Sequence, residues 1–227
     1  MSDSGVTVSV RSWTTGLGRS RPVGRALVMP GIGYTVDRPL LYWSARALLW
    51  QGWQVDRLDL GLQDPVDFPS TIRVMDRVID RWAQDDADAA PDGDASLPRL
   101  VVTKSLSTLT YPHLAERGIP AVLMTPVLNP PPFDPHRSVI PVPDAMNAGG
   151  SAVDLRGSSA VRVPPLVCAG DADPYFDAGL ARRLTDRVLV LSGGNHSIEV
   201  PGDWRTSLTH LRRVVAAVAD YASCLVR

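Results

Sequence analysis

The chain has 227 residues, of which 44% are hydrophobic and 21% charged, with a formal net charge of −1. That balance fits one globular α/β unit and offers no charge excess for nucleic acid or an acidic membrane surface. Cys168 and Cys224 have neither metal-ligand nor disulfide-framework spacing, no stretch approaches the length of a membrane span, and residues 1–5 lack the basic-then-apolar pattern of a signal segment, so a cytoplasmic protein is the expectation.

Val6-Thr7-Val8-Ser9-Val10 alternates apolar and polar residues, the pattern of a half-exposed strand near a sheet edge. Ala26-Leu27-Val28-Met29 reads as a buried strand that runs into the tight turn Pro30-Gly31-Ile32-Gly33-Tyr34. Leu41, Ala45 and Leu48 then recur at helical spacing up to Gln51-Gly52. A strand is expected over 55–60, followed by a helix with Ile72, Met75, Ile79 and Trp82 on its apolar face. Residues 84–97 form an acidic loop, and their aspartates lack the ligand spacing of a cation site. Further strands are expected at 100–103, 120–127, 166–169 and 188–191. A closing helix is expected to bury Leu208, Leu211, Val215, Val218, Ala222 and Leu225, capped by Asp203, with His210 on its polar side. This alternation implies a doubly wound, mainly parallel sheet with helices on both faces, in a single domain spanning 1–227. The irregular connection over 129–165, rich in proline and glycine, reads equally as a surface link or as a flap over a site.

Ligands of such sheets bind at the carboxyl ends of the strands, and four loops there carry the groups that acyl transfer needs. Ser105 lies where the strand Leu100-Val101-Val102-Thr103 turns into a helix, a bend that projects a hydroxyl above the sheet. The motif asks for small residues two before and two after the serine. Ser107 meets that need, whereas Thr103 is β-branched and must be accommodated by its neighbours. Asp173 follows the strand at 166–169 and His196 follows the strand at 188–191, so the chain order is serine, aspartate, histidine. In that constellation His196 takes the Ser105 proton and returns it to the leaving group, while Asp173 fixes the imidazole tautomer. The oxyanion donors would be the backbone N–H groups of Leu106 and of Ile32.

Asp171 competes with Asp173, and Asp177 serves equally as a cap for the helix starting near Ala178; Asp173 is favoured because it lies deeper in the loop, before Pro174. His113, His136 and His210 do not follow strands. Lys104 is expected to be solvated or paired rather than catalytic, with a charge that would favour an anionic substrate.

Pro30-Gly31-Ile32-Gly33-Tyr34-Thr35, Lys104-Ser105-Leu106-Ser107, Gly170-Asp171-Ala172-Asp173-Pro174 and Asn195-His196-Ser197 resemble the oxyanion loop, nucleophile elbow, acid loop and histidine loop of the α/β-hydrolase superfamily. The likeness is to its small members without a large cap domain, the dienelactone-hydrolase-like and serine-esterase-like proteins, from Ala26 to the last helix. The departures are Thr103 and Ser107 for the elbow glycines, Pro30 where many members carry histidine, and the long 129–165 connection. The resemblance implies hydrolysis of a small carboxylic ester or thioester, with no metal and no organic cofactor, and a small-molecule substrate as partner, with no nucleic acid or membrane involved. Two alternatives use the same residues: acyl transfer to an alcohol or amine, and a non-catalytic binding protein of the same fold, which Thr103 favours. The mix of Val139, Ile140, Val142 and Met146 with Arg137, Asp144, Asp154 and Arg156 in the connection suggests a small or moderately polar acyl group.

Overall fold

The computed structural model describes residues 5–13, 22–84, 97–142 and 163–226, with the backbone of residues 2–3. Most of the expected acidic loop, and residues 143–162 of the expected flap, lie outside the described residues. The elements are β1 (Ser2–Asp3), β2 (Val6–Ser12), β3 (Arg25–Val28), α1 (Pro39–Trp50), β4 (Gln54–Leu62), α2 (Phe68–Gln84), β5 (Arg99–Lys104), a 3₁₀ helix (Ser105–Thr110), α3 (Tyr111–Glu116), β6 (Ala121–Met124), β7 (Leu166–Gly170), α4 (Ala178–Leu184), β8 (Val188–Leu191) and α5 (Trp204–Leu225). The eight strands form one sheet in the order β1-β2-β4-β3-β5-β6-β7-β8. β1 and β2 pair antiparallel; every pairing from β4 to β8 is parallel.

The two-residue period of the central strands divides the core into two layers. Ala26, Val28, Leu100, Val102, Val122, Met124, Leu166 and Cys168 face α1 and α5, where Leu41, Ala45, Leu48, Val214 and Val218 pack on them. Their alternates Leu27, Met29, Val101, Ala121, Leu123, Val167 and Ala169 face the other way, against Met75, Ile79 and Trp82 of α2, Leu114 of α3 and Ala181 of α4. Such two-sided burial is why these strands read as continuous apolar runs. Burial also pushes the Cys168 thiol up to about 12, leaving it protonated and inert.

Three local expectations need correction. The helix after Ser105 begins as 3₁₀, because hydroxyls compete for the carbonyls of its first turn: Thr108 Oγ1 donates to Ser105 O at 2.6 Å and Thr110 Oγ1 to Ser107 O at 2.8 Å. The strand expected over 120–127 ends at Met124, where Thr125 turns with φ 45°. The buried stripe of α5 is His210, Val214, Val218, Tyr221 and Ala222, so Val218 and Ala222 face the core as expected, with Leu211 and Leu225 packed partly buried beside it, whereas His210 is buried and Leu208 is 56% exposed, against the expectation for those two. Tyr221 fixes that rotation, entering the core and donating its hydroxyl to Pro164 O at 3.0 Å.

A buried polar cluster holds the end of the sheet opposite the candidate site. Asp56 Oδ2 accepts from Arg25 Nε at 3.0 Å, Arg25 Nη2 at 2.8 Å and Trp82 Nε1 at 2.8 Å, while Asp56 Oδ1 accepts from Ser12 Oγ at 2.8 Å. The cluster joins β2, β3, β4 and α2. Asp56→Ala would strand the Arg25 guanidinium in the core, and such a loss typically costs about 3–5 kcal/mol. Urea unfolding of Asp56→Ala should show a loss of that size; a loss below about 1 kcal/mol, the scale of an exposed pair, would mean that Arg25 finds water instead.

Candidate active site

β5 delivers Ser105 in the left-handed region, with φ 54°, a conformation that costs a β-carbon-bearing residue energy and persists only where its surroundings hold it. Several bonds hold it. Ser107 Oγ accepts from Lys104 N–H at 2.9 Å and has the carbonyls of Met29 and Lys104 at 3.2 and 3.1 Å for its own proton. Thr108 Oγ1, which donates to Ser105 O, also accepts from Val127 N–H at 3.2 Å. Thr103 is fully buried and donates to Val122 O at 2.9 Å, so the threonine in place of an elbow glycine is anchored to β6. A β-carbon on Gly31 would lie 2.9 Å from Ser105 Cβ, so glycine there lets the turn after β3 close on the serine.

The other two predicted side chains meet Ser105. His196 Nε2 lies 2.8 Å from Ser105 Oγ, and His196 Nδ1 lies 2.8 Å from Asp173 Oδ2. A carboxylate only accepts, so Nδ1 carries the proton, Nε2 is left as an acceptor, and Ser105 Oγ–H donates to it. Asp173 is buried, and its Oδ1 accepts from Tyr175 N–H at 3.0 Å, which orients Oδ2 toward the imidazole. The Tyr175 ring stands edge-on to the imidazole at 4.9 Å.

The acid and histidine loops touch through their backbones. A β-carbon on Gly170 would lie 1.9 Å from Gly194 O, and Ala172 N–H donates to that same carbonyl at 3.0 Å. Asp171 is drawn away from the imidazole: its Oδ1 accepts from Gly193 N–H at 2.6 Å and so ties the two loops together. Asn195 Oδ1 accepts from Ser197 and Glu199 N–H at 2.8 and 3.0 Å, stiffening the loop around His196. Asp177 caps α4 by accepting from Leu180 N–H at 2.8 Å, and Asp203 caps α5 by accepting from Thr206 N–H at 3.0 Å. His113 and His136 face Asp80 and Asp67 at 3.0 and 3.8 Å.

The two expected oxyanion donors lie beside this chain. Reciprocal Gly31–Tyr34 backbone bonds of 3.0 and 3.3 Å close the turn and leave Ile32 N–H outside their pairing. Leu106 N–H belongs to the first turn of the 3₁₀ helix, where N–H groups lack an intrahelical acceptor.

Lys104 departs from expectation. It is 2% exposed, its Nζ donates to His196 O at 3.1 Å, and it sits 4.6 Å from the centre of the Tyr34 ring. One side chain thereby joins the nucleophile strand to the oxyanion turn and the histidine loop, and its ammonium is turned away from any substrate anion. Burial lowers its pKa to about 8, against the opposing field of Asp173. The same burial raises the Tyr34 phenol to about 12. Sequence reasoning passed over Tyr175 as well, although its position two residues after Asp173 was a usable signal.

Between about 8 and the ordinary lysine value of 10.5, the unfolded chain holds a proton on Lys104 that the folded protein has released. Folding stability therefore gains from this group as pH rises through that window, by at most about 1.4 kcal/mol per pH unit. Denaturant melts of wild type and Lys104→Met across the window should show the wild type gaining on the variant. A constant difference would mean that the ammonium stays charged throughout.

No protein-family model and no curated protein matches the chain. Solved structures match it over nearly their full lengths. Est1E from Butyrivibrio proteoclasticus, with ferulic acid bound, is 14% identical, with 97% of this chain and 96% of that one covered at a TM-score of 0.63. An α/β serine hydrolase homologue from Coxiella burnetii is 12% identical, with 97% and 94% covered at 0.56. A serine hydrolase without a lid from Xanthomonas campestris is 13% identical, with 95% and 89% covered at 0.55. The chain has the α/β-hydrolase fold of the serine hydrolases and esterases.

Proposed function

We propose that the protein is a serine hydrolase that cleaves a small carboxylic ester or thioester through an acyl-enzyme on Ser105. The observation that carries this is the unbroken relay from Ser105 Oγ through His196 to Asp173, with both contacts at 2.8 Å. Ser105 Oγ attacks the acyl carbon as Nε2 takes its proton, and the resulting imidazolium is stabilised by the Asp173 carboxylate. The tetrahedral oxyanion is held by Ile32 and Leu106 N–H. Collapse expels the alcohol or thiol, which leaves with the proton from Nε2. A water deprotonated by the same nitrogen then releases the acid and restores Ser105. Strain at Ser105 and the similarity to esterases and serine hydrolases support this reading over a passive role for the hydroxyl.

A fluorophosphonate should label the protein once, at Ser105. Asp173→Asn should lower kcat by about 10⁴-fold with the fold intact. To keep the bond from Tyr175, the amide must turn its NH₂ toward Nδ1 and so reverse the tautomer. Asp171→Asn should change kcat less than about three-fold, because one ordinary hydrogen bond is at stake and an acceptor for Gly193 N–H remains. Folded protein that resists the probe, or labels elsewhere, would make this a binding protein of the hydrolase fold.

A further inference from the structure

We propose that the cavity between Ile32 and Phe133 binds a flat, uncharged or cationic group of the substrate and turns anionic groups away. This deepens the serine-hydrolase reading and rests on it. The cavity has a volume of about 420 Å³, and its walls include Ile32, Val66, Phe133, Asp64 and Asp67.

Its position follows from two chains of contact that end at the reacting atoms. On one side Ile32 follows Gly31, which packs against Ser105, and Ile32 carries a proposed oxyanion donor. On the other, Phe133 meets Tyr175 edge-on with ring centres 6.4 Å apart, and Tyr175 meets the His196 imidazole at 4.9 Å. Phe133 is 60% exposed yet backed by the buried ring of Phe68 at 6.0 Å, so it presents a supported aromatic face to the opening. A planar group lying there would stack on that ring while its ester carbon sat over Ser105.

Two carboxylates share the cavity wall with one titratable base, the His136 imidazole. Asp64 and Asp67 are exposed in its wall, and among the described residues no lysine or arginine forms an ion pair with Asp64. Bonds from Ser70 hold the Asp67 carboxyl below its usual range, so it is anionic at neutral pH, with the His136 imidazole 3.8 Å away. Lys104 is 2% exposed and its Nζ donates to His196 O inside the protein, so an entering anion makes no direct contact with it. An anionic acyl group would thus meet two carboxylates without a compensating lysine, while a cationic one would be attracted.

Four 4-methylumbelliferyl esters separate the contributions: acetate, benzoate, 4-carboxybenzoate and 4-(trimethylammonio)benzoate. At low salt, kcat/KM should fall at least about five-fold from benzoate to 4-carboxybenzoate, and the trimethylammonio ester should equal or exceed benzoate. The spread should narrow at about 0.5 M salt, where screening is short-ranged, and in the Asp64→Asn/Asp67→Asn double variant. Asparagine is also a good helix cap, so the start of α2 is preserved in that variant. Phe133→Ala should lower benzoate turnover about five-fold relative to acetate. Equal turnover of benzoate and 4-carboxybenzoate, or a spread unmoved by the double variant, overturns the proposal.

Binding of benzyltrimethylammonium and of phenylacetate, followed by amide NMR shifts, needs no turnover. Shifts at Ile32, Val66 and Phe133 with the cation alone support the site even if Ser105 resists a fluorophosphonate, in which case only the hydrolase reading fails. No shift there with the cation overturns the site even if Ser105 labels.

Discussion

Everything in the candidate site depends on the chain turning through a left-handed conformation at Ser105, with φ 54°. A serine there costs energy that the neighbouring segments must offset. They do so with hydroxyls: Ser107 bridges the Lys104 amide and the carbonyls beside it, Thr108 bridges Ser105 O and Val127 N–H, and Thr103 is tied to β6. In place of elbow glycines, which would only make room, this chain uses small polar side chains that fill the room and bond across it. Thr103, read in isolation as an obstacle, becomes one of the fastenings.

The turn alone would leave a serine without a base. His196 reaches it because the β7 and β8 loops approach to backbone contact at Gly170 and Gly194, which no side chain at 170 would permit. Asp171 and Lys104 then fix that approach from opposite sides, the first through Gly193 N–H and the second through His196 O. A buried ammonium with one carbonyl partner and an aromatic face is a costly fastening, which is why its proton is held loosely. Its cost is intelligible as a means of holding three loops with one side chain.

The sheet and the meeting of Ser105, Asp173 and His196 were legible in the sequence because both follow from local patterns. Two-sided burial writes strands as apolar runs, and the groups of interest stand one loop beyond them. What was not legible depends on pairings between distant segments. Lysines are rarely buried, so a solvated or paired Lys104 was the expectation; its burial between Tyr34 and the His196 loop follows only from the convergence of those distant segments around it. Phe133 sits in a proline-rich stretch with no period to mark it, and its role appears only through Tyr175. The face of α5 was misjudged by about one residue because Tyr221, with a polar tip, was not counted as apolar although its hydroxyl finds Pro164 O inside.

Two buried cations, Arg25 and Lys104, show how the fold separates stability from chemistry. Arg25 begins β3, and its guanidinium is met by the Asp56 carboxylate, itself satisfied by Trp82 and Ser12. Lys104 ends β5 and, among the described residues, has no carboxylate in direct contact; Asp173, whose field it feels, is committed to His196 and Tyr175 N–H. A paired charge locks its surroundings, whereas an incompletely paired one leaves a field that acts on its neighbours. The first lies at the amino ends of the parallel strands. The second lies at the carboxyl ends, where it shares a field with the Asp173 carboxylate of the relay while its side chain stays closed to solvent. The inner cation at Lys104 and the carboxylates of Asp64 and Asp67 in the cavity wall carry opposite signs, and on the proposed reading an incoming group is sorted by charge in that cavity before it meets the relay.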